Sequence, residues 1–98
     1  MRTLVKVSVP VEAGNKAIQE QTMQKILLEV QERLRPEAAY FFAQNGLRTA
    51  LYVVDLKDPS DIPIIAEPFF KGFNAAVEFT PAMNIDDLKK ALERLSKK

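Results

Sequence analysis

The chain has 98 residues, 47% of them apolar and 28% charged, and its 14 basic against 13 acidic side chains leave a net charge of +1. That length makes a single domain over residues 1–98, able to bury about 60 to 65% of the surface its unfolded form exposes, while the near-zero charge argues against nucleic acid or anionic lipid as a partner. There is no Cys and no His, which excludes disulfides, thiolate nucleophiles, Ser-His-Asp and Cys-His triads and the common haem and zinc centres; any metal would need carboxylates alone.

No apolar run approaches the ~20 residues needed to cross a bilayer. Arg2 and Lys6 interrupt the first apolar stretch, unlike a signal peptide, so the cytoplasm is the expected compartment. Residues 3 to 10 alternate as a strand, with Val5, Val7 and Val9 on one face and Leu4, Lys6 and Ser8 on the other. Gly14-Asn15 supplies a break and an N-cap. Met23, Ile26, Leu27, Val30 and Leu34 then recur at helical spacing, which predicts one amphipathic helix of about 20 residues ending before Pro36. Leu28 falls well off that apolar stripe, so it is either simply exposed or packed on the C-terminal helix or a second subunit.

Asn45-Gly46 separates two strand-like runs covering Ala39 to Leu56. Both central residues of a type I′ turn need positive φ, which Asn tolerates and Gly adopts freely, so this is a β-hairpin. In its register Gln44 pairs with Leu47, Phe42 with Thr49 and Tyr40 with Leu51. Ala43, Phe41 and Ala39 pair with Arg48, Ala50 and Tyr52 on the other face. Asp58-Pro59-Ser60-Asp61 is a turn into a helix, with Ser60 as N-cap and Pro63 in the first turn. Pro68 removes a hydrogen bond, so this helix should be short or kinked and should end by Gly72. The run from Asn74 to Thr80 alternates as a fourth strand, with Ala75, Val77 and Phe79 on one face and Glu78 on the other. After Pro81, Asn84 caps a last helix striped by Leu88, Ala91, Leu92 and Leu95. Lys97 and Lys98 should fray.

The order β-α-β-β-α-β plus a final α is an α+β, ferredoxin-like arrangement, with a four-stranded antiparallel sheet in order 4-1-3-2 and helices on one face. Its other face is open. Placing the valines toward the helices turns Lys6, Ser8 and Glu78 outward, and the hairpin side bearing Phe41, Arg48 and Tyr52 is the better match to that polar face. Two such faces opposed in a homodimer would enclose a pocket. Glu78 is then the candidate catalytic base, and Lys6, Ser8, Phe41, Arg48 and Tyr52 are candidate ligand-binding residues. The plain alternative is an ordinary set of ion pairs on a wet sheet surface.

Ile65-Ala66-Glu67-Pro68-Phe69-Phe70, Ala75-Ala76-Val77-Glu78-Phe79-Thr80-Pro81 and Met83 followed by Asp86-Asp87-Leu88 resemble the second helix, last strand and exit of the dimeric α/β-barrel superfamily. The resemblance implies a homodimer with face-to-face sheets. It names no activity, because the superfamily hosts many chemistries on one scaffold, and no catalytic residue or cofactor carries over. The function expected is binding of a small organic molecule, with or without its isomerisation or degradation; the alternative is a non-catalytic homodimeric ligand-sensing or interaction module. An RNA-recognition role on this topology is disfavoured, since the first strand offers no aromatic platform.

Overall fold

The computed structural model describes residues 1–97, so Lys98 and its expected fraying lie outside the described residues. The elements run β1 (Arg2–Val9), α1 (Val11–Gln19), α2 (Thr22–Leu34), β2 (Ala38–Gln44), β3 (Leu47–Asp55), α3 (Asp61–Phe73), β4 (Ala76–Pro81) and α4 (Ile85–Ser96). All neighbouring strands are antiparallel in the order β2-β3-β1-β4, which is the expected 4-1-3-2 order read from the opposite edge. The chain is thus an α+β fold of four strands and four helices.

Alternation in β1 is complete: Thr3, Val5, Val7 and Val9 are buried while Arg2, Leu4, Lys6 and Ser8 are half-exposed. The valines form the floor of a core closed by Ala17 of α1, Val30 of α2 and Ile65, Phe69 and Phe73 of α3. Phe69 and Phe73 retain 0% and 2% exposure, so α3 is the helix most deeply bound to the sheet. Fully burying side chains of this size stabilises the fold by about 1.5 to 3 kcal/mol each.

The Asn-Gly hairpin forms with the expected pairing along its whole length, and Asn45 and Gly46 take φ of 56° and 75°. The predicted long helix is instead two. Helix α1 begins directly after Pro10 and contains Gly14, and the break falls at Gln21 in the left-handed region. There the Thr22 hydroxyl donates to the Ala17 carbonyl at 3.2 Å and the Gln21 N–H donates to Ile18 at 3.1 Å, so local bonds satisfy the interrupted ladder. Gly14 interrupts nothing because its lack of a Cβ serves packing. A Cβ there would lie 2.7 Å from Arg48 Nη1.

Pro68 lies inside a continuous α3, which ends with Asn74 in the left-handed conformation one residue beyond the expected limit. Burial of Phe69 and Phe73 holds the helix together across the missing bond. Ser60 sits at the N-cap position without a side-chain cap bond; its hydroxyl donates instead to the Asp58 carboxylate. Asn84 and Asp87 form the complete reciprocal capping box, with bonds of 2.9 and 3.0 Å.

Helix α4 buries none of its residues. Ile85, Leu88, Leu92 and Leu95 remain exposed, and Leu28 does not pack beneath them, being 69% exposed itself. The chain accordingly measures 58 × 27 × 18 Å. No helix among the described residues is long and apolar enough to cross a membrane.

Candidate functional site

The relation between β1 and β3 decides which side chains share a face. Val5 pairs with Tyr52, Val7 with Ala50 and Val9 with Arg48, and directly paired residues point the same way. Phe41, Arg48 and Tyr52 therefore lie on the helix side with the valines, while Lys6, Ser8 and Glu78 lie on the open side. The expected grouping of these six residues into one pocket is corrected: the sheet itself separates them. A one-residue change in register exchanges every side chain between faces.

On the open side, Lys6 and Glu78 are cross-strand partners, with Nζ and Oε2 4.0 Å apart. Their surroundings are far more apolar than the sequence reading allowed. Leu4, Leu51 and Val53 are half-exposed in the middle of this face, and Tyr40 and Phe42 extend it along β2 with 61% and 40% exposure.

Between the sheet and the helices the same register creates an apolar cleft of about 450 Å³. Its floor is Val7, Val9 and Ala50, Met23 and Leu27 of α2 form one wall, and Phe69 and Phe73 of α3 form its depth. Strand β2 reaches past the covering helices, so Phe41 and Ala43 form an open rim. Arg48 stands at the mouth, where its Nη2 donates to Asn15 Oδ1 at 3.0 Å. Thr49 borders the cleft through its backbone, since its pairing with Ser8 and Phe42 turns its side chain to the open face, where the hydroxyl donates to the Leu47 carbonyl at 3.1 Å.

Tyr52 is not a free ligand-binding group. It has 0% exposure, its ring meets Phe41 edge-on at 6.0 Å and Phe69 at 5.8 Å between centroids, and its hydroxyl is buried without a hydrogen-bond partner. Burial pushes the phenol from 10.0 up to about 12. Glu78 lies across the sheet from the cleft, so the candidate base and the candidate cavity do not meet. Sequence reasoning placed Phe41 and Arg48 on the wrong face. It assigned Val7, Val9, Met23 and Leu27 to strand and helix faces of the core and gave Phe69 and Phe73 no role in a site. Alternation in β1 and helical spacing in α2 show an inward face but not that the core beneath it is incompletely filled.

A second concavity, of about 730 Å³, lies at the end of the sheet. Its charges are already matched: the N-terminal ammonium donates to Asp55 at 2.8 Å, and Arg2 meets Glu37 at 3.0 Å and Asp87 at 3.7 Å. The ammonium holds the Asp55 carboxyl below its ordinary range. No group of three or more Asp or Glu residues is placed to hold a metal ion among the described residues. Comparison with known proteins finds no matching family model and no matching curated protein.

Proposed function

We propose that this chain is a small-molecule-binding protein of the dimeric α/β-barrel kind, with a ferredoxin-like protomer that pairs through its open sheet face. The observation that carries the binding reading is the cleft between sheet and helices. Its volume falls within the range of about 300 to 1,000 Å³ usual for ligand sites, and its lining is apolar with very few polar groups, as such sites are. The apolar middle of the open face and the uncovered stripe of α4 support the homodimer, since both are apolar surfaces that a second copy can cover.

Within this reading a non-catalytic, ligand-sensing role is favoured over isomerisation or degradation. Arg48 is not a general base at neutral pH, and no Asp, Glu, Lys or Tyr lines the cleft among the described residues. Sedimentation combined with thermal-shift titration tests the proposal using 2-naphthoate and 2-naphthamide as apolar probes. The expected result is a dimer whose unfolding temperature rises with at least one probe, and loss of that rise in Ala43→Trp, which obstructs the rim without touching the core. A strict monomer with no shift from either probe overturns it.

A further inference from the structure

We infer that the cleft takes an amphipathic monoanion: a molecule whose aromatic or aliphatic body lies on Val7, Ala50 and Phe69 and whose carboxylate is received by Arg48. This rests on the reading of the cleft as a ligand site and adds the chemical class of the ligand. The two arginines at opposite ends of the fold supply the argument. Arg2 is neutralised by Glu37 and Asp87. Arg48 has no carboxylate within 4.0 Å among the described residues, and its one side-chain partner is the neutral Asn15 amide.

A guanidinium offers five donors in a rigid planar fork that matches a carboxylate. The Asn15 bond uses one nitrogen, and the position of Gly14 explains how the head reaches its place. With no Cβ at 14, the Arg48 side chain crosses the face of α1, where a methyl group would stand 2.7 Å from Nη1 and 3.3 Å from Cδ. The charge is thereby held beside an apolar cavity while the guanidinium stays open to solvent. Apolar volume ending at one oriented, uncompensated cation selects for a molecule with the opposite charge at one end.

The test is calorimetric titration of the full chain with 2-naphthoate, 2-naphthamide and 2-naphthylmethylammonium, which share one body and differ in the charge of the head. The carboxylate should bind at least about 10-fold more tightly than the amide, as charge-assisted hydrogen bonds imply, and the cation most weakly. Arg48→Gln should remove the preference by lowering carboxylate affinity to the level of the amide, with circular dichroism as the check that the fold is intact. Should Arg48→Gln fail to fold, Arg48→Lys and Gly14→Ala decide: the first keeps the charge without the fork, the second displaces the fork with the charge retained, and each should reduce the preference. Equal binding of acid and amide by the unmodified chain overturns the inference and leaves the binding reading standing. Failure of all three molecules to bind removes both.

Discussion

Tyr52 carries an unpartnered hydroxyl into the buried layer between Phe41 and Phe69. A buried polar group without a partner costs about 1 to 3 kcal/mol, so Tyr52→Phe should raise stability by about 1 kcal/mol in urea unfolding, with the ring contacts retained. The same residue sets an alkaline limit. The folded phenol titrates near 12 and the ordinary phenol at 10.0, so between these values the unfolded chain loses a proton that the folded chain keeps. Stability is fully present below about pH 10 and falls as pH rises toward 12, by up to about 3 kcal/mol. Tyr52→Phe should flatten that part of the stability profile, and an unchanged alkaline slope would contradict the assignment. Tyr52 and Arg48 also mark where single-residue reasoning stops. In β3 one face bears Leu47, Leu51 and Val53 and the other Ala50, Tyr52 and Val54, so alternation alone is indifferent between them. The choice is made by Val5 across the strand pair, a contact that no local pattern contains.

At the level of elements, the local signals proved the most readable. Asn45-Gly46 and the Asn84–Asp87 box act through groups a few residues apart, and both form as their sequences imply. The break between α1 and α2 was hidden because Glu20-Gln21 contains neither Gly nor Pro, while Gly14 suggested a boundary where the helix in fact continues. Tertiary burial likewise overrides Pro68. Replacing it with Ala restores a donor to the Ile64 carbonyl, and α3 should gain about 1 to 3 kcal/mol in stability, measured by the urea midpoint. Helix α4 poses the opposite case. Its cap is complete but its 12 residues bury nothing within the chain, and an isolated helix below about 12 to 15 residues is marginal in water. Amide exchange in α4 should therefore be slow where the homodimer is populated and fast on dilution; concentration-independent exchange would count against a second copy as its cover.

For the whole molecule, the proposed reading gives the two faces of the sheet separate tasks: one would hold a ligand in the cleft, the other would pair with a second copy. Unfolding temperature should rise with protein concentration, as association requires. The double substitution Phe42→Lys and Leu51→Lys, on the open face, should yield a folded monomer by sedimentation and circular dichroism. If that variant still dimerises, the open face is not the interface. The strand order also bears on how the chain is made. Strand β1 is synthesised first yet lies inside the sheet, flanked by β3 and β4, and β4 begins only at Ala76. Until β4 is available, β1 has an open edge and the sheet cannot close, so its long-range pairings are completed late in folding. A chain cut short before Ala76 would expose that edge permanently, and its fate should be aggregation or degradation rather than a smaller folded protein.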